Sequence, residues 1–589
     1  MVFEERESAY FEDSRRLTGP NLFFAETGAL LEAKGPSAQS SIAHQRWQGF
    51  VEALAVQLGW PRPRCVVRVH NQTTSLVFSA PVDQLFAATE VNEWAWESAT
   101  AEFSPALEVS NAFGERANDL GDFPTASTRL SATALAERND GLRELLDAAS
   151  EHNLTTLLDD ETFSVGGGDG SRAWPAKLLP SRAEFDLVCA TLRNIPTVLV
   201  TGSNGKTTTV RLVAAMAAAQ GWCPGYSSTE GVIVDGQECL FGDYAGPAGA
   251  RAVLRDTRVN CAVIEAARGG MLRRGLAVSH ADIAVVTNIS ADHFGEYGID
   301  SLDDLATAKL IVARTVEARG TLVLNADDVV LMHAAERLAQ RKAFFGLMWE
   351  HPFLVKARGQ GLSVCAIDHG HLRLALDGTE TDFGTVAAMP LTVDGAAGYN
   401  VANLAAAVLA AGSLGISIDI IRSVLATFGA TRHDNPGRLE RWTIDGIEVI
   451  LDYAHNPAGL SGVMQIARSL QQQTKGRLGL LLGQAGNRED DDIHALARMA
   501  ASFCPDLIVL KDIDGMLRSR LPGEVPALLD VALRAAAIDE SRILTVLSEA
   551  DAAKQLIRWA QRGDVVVLPM HGVAARVAVR HWLDAGAKD

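Results

Sequence analysis

Between Pro196 and about Asn325, short apolar runs alternate with stretches of helical period. The runs are "TVLVTG", "CAVIEAA", "DIAVVTNI" and "GTLVLNADD". Apolar runs without polar alternation, separated by helix-patterned segments, are the pattern of a parallel sheet covered on both faces by crossover helices. "KTTTVRLVAAMAAA" reads as one such helix, and "NVANLAAAVLAAGSLG" reads as another that closes the region. Near "ATRHDNPGRLE" the chain enters a second α/β unit, with expected strands "IEVILDY", "LGLLLG", "DLIVLK" and "DVVVLP". The part before Phe163 is patterned differently. It is rich in Trp and Phe, with strands "RCVVRVH" and "TSLVFSA" and a helix at "LRELLDAASEHN", which predicts a small α+β unit. "SVGGGDGSRAWP", Ser164 to Pro175, reads as a hairpin loop or linker, followed by a helical connector near "SRAEFDLVCATLRN". The expected division is therefore 1–175, 176–430 and 431–589, an α/β protein with a small α+β N-terminal domain. Its central domain has a parallel sheet and a phosphate loop, and its C-terminal domain is Rossmann-like.

Composition narrows the function. The chain has 589 residues, 48% of them apolar and 21% charged, enough for about three or four soluble domains. A net charge of −19 argues against a nucleic-acid partner, which needs clustered Lys and Arg. No apolar run reaches about 18 residues, so no membrane span is expected. Seven cysteines are dispersed, with no CxxC pair. Together with a charged N-terminus that lacks an apolar signal core, this points to reduced thiols and a cytoplasmic location. Homo-oligomerisation stays open.

The stretch "VTGSNGKTTTVRL", Val200 to Leu212, changes the picture most. A buried strand leads into Gly202, Ser203, Asn204 and Gly205, and a helix follows. Glycines let the backbone turn tightly and approach a ligand. Helix-start N–H groups favour phosphate. Lys206 offers a charge to the terminal phosphates, and Thr207 or Thr208 offers a hydroxyl to Mg²⁺. The two glycines are closer together than in the common Walker spacing, yet strand, glycines, Lys and Thr agree with a nucleotide loop. ATP and Mg²⁺ are the expected cofactors.

"TGSNGKTTT" resembles the Mur ligase family, which includes peptidoglycan-precursor ligases, folylpolyglutamate synthetase and the C-terminal module of cyanophycin synthetase. Glu265 ends the strand of "CAVIEAARGG", where a carboxylate faces a ligand crevice and suits a hard cation. The resemblance implies a magnesium ligand, and an ion pair with Arg268 or Arg273 is the alternative. "EAARGGMLRRGL" looks like the cyanophycin synthetase version of this motif. Asn288, Asp292 and His293 match N-x-x-x-D-H, in which the family's His binds a second metal; alone, the pair would read as a cap or core feature. Lys309, in "ATAK", matches a lysine that several Mur ligases carbamylate to hold that metal, which removes the repulsion between an ammonium and a dication. A plain surface lysine is the alternative.

"GYNVANLAAA" resembles H-N-x-x-N with Tyr399 in place of His, which would put Asn400 near the adenine, its amide offering donor and acceptor; a helix N-cap is the other reading. Arg438 of "NPGRLER" has the planar fork for phosphate oxygens. Asp452 and His455 of "LDYAHNPAG" correspond to residues near the γ-phosphate, against a purely structural turn. "GQAGNREDDDI" resembles a glycine-rich family loop carrying Arg488. Asp490 to Asp492 read first as a solvated charge run and second as a greeting for a basic substrate. His571 in "LPMHG" is a weaker candidate for the same crevice.

"APVDQLFAATEVNEWAWES" and "LDDETFSVGGGDGSRAWP" resemble the N-terminal domain of cyanophycin synthetase, in which an ATP-grasp module follows. Here no such module fits between Pro175 and Pro196. Trp94 and Trp96 alternate with Ala95, as if on one side of a strand, with a core role ahead of polymer binding. The resemblance implies an ATP-dependent carboxylate–amine ligase that forms an amide through an acyl phosphate and releases ADP. It would join an amino acid such as arginine to an aspartyl or related peptide. The alternatives are a ligase for an unrelated small acid or dipeptide, or a nucleotide-binding regulatory homologue without ligation.

Overall fold

A computed structural model describes residues 11–71, 73–101, 122–292 and 294–587. At its centre the strand Thr197–Thr201, wholly buried, lies parallel between Cys261–Glu265 and Ala281–Val286. Side chains alternate across the sheet, as the pleat requires. Val198 and Val200 face the core formed with the helices Lys206–Ala219 and Gly398–Ser413. Leu199 faces the opposite core, which includes the helices Pro247–Arg255 and Leu302–Lys309. Being covered on both faces is why these strands read as unbroken apolar runs.

The parallel arrangement continues through Pro224–Ser228 on one side and through Val316–Asn325, Lys342–Phe345 and Val364–Asp368 on the other. Both edges then turn antiparallel, through Gly231–Val234 and Gln237–Phe241 at one end and His371–Leu376 and Thr379–Thr385 at the other, giving eleven strands. The central parallel sheet expected from the sequence is present, and antiparallel strands extend it at both edges. The edge strand "QECLF" is exposed throughout, so it carries no burial signal that patterning could detect.

The second α/β unit holds six strands in the order Glu440–Ile444, Ile447–Asp452, Val565–Pro569, Leu478–Leu482, Leu507–Leu510 and Ile543–Thr545. All pairs are parallel except the first. Helices Pro457–Thr474 and Asp490–Ser502 pack on one face, and Glu549–Trp559 and Val573–Asp584 pack on the other.

The N-terminal unit has an antiparallel sheet in the order Phe11–Leu17, Gly28–Ala33, Thr73–Ser79, Cys65–His70. Helices Ser41–Gln57, Leu85–Thr100 and Phe123–Glu137 share its core. Trp94 and Trp96 lie on the helix Leu85–Thr100, not on a strand. Two residues on a helix are about 200° apart, yet both are buried. The helix is wedged between the sheet and its two neighbouring helices, so opposite faces are covered.

A second small core forms around Phe163 and Phe185. It takes the helix Asp140–Glu151, the strands Thr156–Leu158, Thr162–Val165 and Arg172–Pro175, and the helix Arg182–Cys189. The Gly-rich stretch is the tip of this hairpin, and it docks on the central unit. Asp169 N donates to Val259 O at 2.7 Å. A Cβ on Gly168, whose φ is +54°, would lie 2.0 Å from that same oxygen. Among the described residues no helix is long and apolar enough to cross a membrane.

Candidate active site

The strand Thr197–Thr201 delivers its loop to the C-terminal edge of the sheet, where Gly202 (φ +146°) and Gly205 (φ +84°) shape it. A Cβ on Gly202 would lie 1.8 Å from Thr287 Oγ1, and one on Gly205 would lie 2.1 Å from Asn403 Oδ1. Both positions therefore exclude a side chain by conformation and by space. Ser203 is buried, and its Oγ donates to Ser290 O at 2.9 Å. Asn204 N donates to Asn288 Oδ1 at 3.0 Å. The neighbouring strand's loop thus braces the phosphate loop. Lys206 opens the helix, with Nζ 3.1 Å from the carbonyl oxygens of both Gly202 and Ser203.

Thr207 Oγ1 donates to Glu265 Oε2 at 2.8 Å. Glu265 is 1% exposed, and its Oε1 has no hydrogen-bond partner among the described residues. A buried carboxylate oxygen left open beside a hydroxyl fits a hard cation. Arg268 pairs instead with Glu296, so the alternative ion pair of Glu265 with Arg268 does not form. Thr208 Oγ1 accepts from Asn435 Nδ2 at 3.2 Å and so serves the contact with the C-terminal unit.

Asp292 lies 2.9 Å from Arg488 Nη2 and 3.5 Å from His455 Nε2, joining the two α/β units. His293 lies outside the described residues. Lys309, at the end of the helix Leu302–Lys309, is 4% exposed, which corrects the reading of a surface lysine. Burial, followed by the charge of Lys206, pushes its ammonium well below the ordinary lysine value, against the pull of Asp292. Desolvation disfavours the charged form, so a neutral amine, the form that takes up CO₂, becomes accessible.

Asn400 is not a helix cap; that position belongs to Ala397. Its Nδ2 donates to Leu391 O at 3.0 Å, and its Oδ1 accepts from Asn403 Nδ2 at 3.1 Å. Tyr399 lines the same cleft, with a buried hydroxyl that has no partner among the described residues.

From the C-terminal unit, Arg438 Nη2 reaches Thr207 Oγ1 and Thr229 Oγ1, each at 3.3 Å, while its guanidinium stacks 4.3 Å over the Tyr453 ring. Asp452 is buried and accepts from Leu439 N at 2.7 Å. Burial pushes its carboxyl up, while the Arg438 charge holds it down. His455 Nδ1 lies 3.2 Å from Tyr453 O. Asn456 caps the helix Pro457–Thr474 through Gly459 N and also donates to Asn204 Oδ1 at 3.1 Å, so "HNPAG" is a structural turn and a contact to the phosphate loop at once. Asp490, Asp491 and Asp492 occupy the first turn of their helix, where negative charge meets the helix dipole. His571 does not reach the cleft. It is buried beneath Tyr453, with Nε2 3.1 Å from Ala454 O and Nδ1 3.3 Å from Lys511 Nζ.

Ser203 through Thr208, Glu265, Asn400, Arg438, Asp452 and His455 line one cleft of about 370 Å³, within the range of small-molecule sites. Sequence reasoning missed Asn403, Thr229, Asn435 and Tyr453. Asn403 was within reach, because it stands three residues after Asn400 on one helix face. Thr229 and Asn435 sit in loops without pattern, and only the docking of the units gives them partners.

A parallel-sheet domain with a glycine-rich loop at its strand ends, closed by a second α/β unit and carrying the buried carboxylate of Glu265, defines the class. Residues 200–411 match the Mur ligase middle domain and residues 437–569 match the Mur ligase glutamate ligase domain. Together these stretches span more than half of the chain, which belongs to the Mur ligase family. The chain is 33% identical over 386 residues to a cyanophycin synthetase of Crocosphaera subtropica, covering 65% of this chain and 43% of that protein. The chain thus spans less than half the length of the cyanophycin synthetases it matches. It is also 28% identical over 476 residues to the UDP-N-acetylmuramoyl-L-alanyl-D-glutamate–2,6-diaminopimelate ligase of Corynebacterium glutamicum, covering 78% of this chain and 84% of that one. Among solved structures, folylpolyglutamate synthase of Mycobacterium tuberculosis, complexed with ADP, aligns at 19% identity and a TM-score of 0.48, covering 69% of this chain and 93% of that one.

Proposed function

We propose that the protein is an ATP-dependent carboxylate–amine ligase that forms an amide bond and releases ADP and phosphate. The observation that carries this is the single cleft in which the loop of Lys206, the open carboxylate oxygen of Glu265, and Arg438 and Asp452 of the second unit converge. When bound, Mg²⁺ would neutralise triphosphate charge, and Thr207 and Glu265 would hold it, with Lys309 supporting a second ion. Lys206 and Arg438 then place fixed positive charge where the γ-phosphate passes to a substrate carboxylate, a step that depends mainly on positioning and electrostatics. Asp452 orients Arg438 by holding the amide of the next residue, Leu439. His455, which lines the cleft, would accept the proton that the attacking amine loses. The contacts of Arg438 with Thr207, and of Asn456 with Asn204, close the two units over the site. Closure of this kind would shield an acyl phosphate from water.

The acyl donor we favour is an aspartyl or related peptide, and the amine an amino acid with arginine first. What supports this choice is the similarity to the cyanophycin synthetases over 65% of the chain. The test is ADP release with amino acids and aspartyl peptides supplied in pairs, with products weighed by mass spectrometry. ADP formation that depends on both substrates, with a condensed product, supports the reading. AMP and pyrophosphate, or no turnover across the panel while ATP binds, would sink it.

A further inference from the structure

The N-terminal unit has no part in the chemistry above, yet it grips the segment that follows the cleft-lining Asn288 and Ser290. Arg68, on its strand Cys65–His70, donates from Nη2 to Gly298 O at 2.6 Å and to Asp304 Oδ1 at 2.7 Å. Asp304 lies in the first turn of the helix Leu302–Lys309, which ends on Lys309. Gly298 (φ +65°) packs so tightly that a Cβ there would lie 2.6 Å from the His70 ring. Its neighbour Tyr297 has φ +56°, a backbone state that a bulky residue seldom adopts. Tyr297 carries the Arg15 guanidinium 4.9 Å from its ring. Glu32 backs the whole contact, accepting from Arg15 at 2.9 Å and from Ser75 at 2.8 Å, with His70 3.3 Å away.

The gripped segment also touches the central and C-terminal units. Glu296, one residue before Tyr297, pairs with Arg268, and Asn487 of the C-terminal unit donates to it at 3.3 Å. A strained loop persists only where its surroundings over-determine it. Here those surroundings belong largely to a different structural unit.

We infer that the N-terminal unit is a positioning device for the active site, with Arg68 the positioning residue that holds residues 294–304 and so sets the place of Glu296 and of the Lys309 helix. The kinetic consequence rests on the ligase reading, but the structural consequence does not. Unclamping the loop shifts Glu296 and the helix that carries Lys309 and leaves the phosphate loop alone, because none of the Arg68 contacts given above reaches Gly202–Thr208.

The test compares the full-length protein with its Arg68→Ala and Arg68→Lys variants. By hydrogen exchange, Arg68→Ala should raise exchange in peptides spanning 294–309 by about tenfold or more and leave the Lys206–Ala219 helix unchanged. Affinity for ATP with Mg²⁺, measured by calorimetry, should stay within about twofold. With the substrates of the ligase screen, kcat should fall about tenfold at unchanged KM for ATP, and Arg68→Lys should recover part of both effects. Should Arg68→Ala fail to fold, Asp304→Asn removes the same charge pair and carries the same expectation. Unchanged exchange at 294–309, or a rise spread evenly over the chain, would overturn the inference. A wild-type protein that releases no ADP would sink the ligase reading instead and leave the exchange result to decide this one.

Discussion

Thr207, in the first turn of the helix Lys206–Ala219, and Glu265, at the end of the strand Cys261–Glu265, form one unit: the hydroxyl donates to Oε2 at 2.8 Å while Oε1, buried, has no hydrogen-bond partner among the described residues. An unpaired buried carboxylate oxygen is costly, and a cation that bridges Thr207 and Glu265 removes the cost. Glu265→Gln keeps the hydroxyl contact but takes away the charge. Its ADP formation should require at least about tenfold more Mg²⁺ for half-maximal rate, in the range of lost metal support. A Mg²⁺ titration of turnover checks this, and an unshifted midpoint would remove Glu265 from the metal site.

Lys206 begins a helix whose residues from Thr207 to Met216 are largely buried, while its own side chain folds over the loop. Lys206→Ala should therefore leave the circular dichroism spectrum and melting transition close to wild type. Turnover should fall by roughly 100- to 1000-fold, the usual cost of one electrostatic donor to a transition state. Normal product formation by this variant would defeat the assignment.

Lys309 is buried with its ammonium disfavoured by burial and by Lys206, so its neutral amine is open to carbamylation. Native protein equilibrated with ¹³C-bicarbonate should show a carbamate carbon signal that Lys309→Ala abolishes. The variant should lose roughly 10- to 100-fold in turnover, and added short carboxylates should restore part of it. A wild-type spectrum with no carbamate signal would count against the modification.

His571 supplies the pH dependence. Burial first, then the charge of Lys511, hold its imidazole well below the ordinary 6.5. As pH falls below 6.5 the unfolded chain takes up a proton there and the folded chain does not. This stabilising contribution is therefore complete above 6.5 and is lost on the way down to the lowered folded value. Measured from about pH 8 to about pH 5, the melting temperature of wild type should fall faster than that of His571→Gln. Parallel curves would show that the group does not titrate between the two states.

The sequence by itself determined the central architecture and the place of the glycine-rich loop within it. Strands buried on both faces must be apolar without interruption, so "TVLVTG" and "DVVVLP" announce themselves. The helix Lys206–Ala219 has the limits that its pattern implied. Local signals of this kind need no partner to be read. The tertiary structure alone decided which members of the motifs keep open polar atoms in the cleft and which spend theirs on the fold. Asn400 spends its amide on Leu391 and Asn403, and Thr208 spends its hydroxyl on Asn435. Lys309 is buried, and His571 sits beneath the cleft rather than in it. Its most consequential decision was to dock Arg68 onto Asp304, 236 positions along the chain. Such outcomes depend on contacts between segments remote in sequence, whose distances and burial are set only when the units pack.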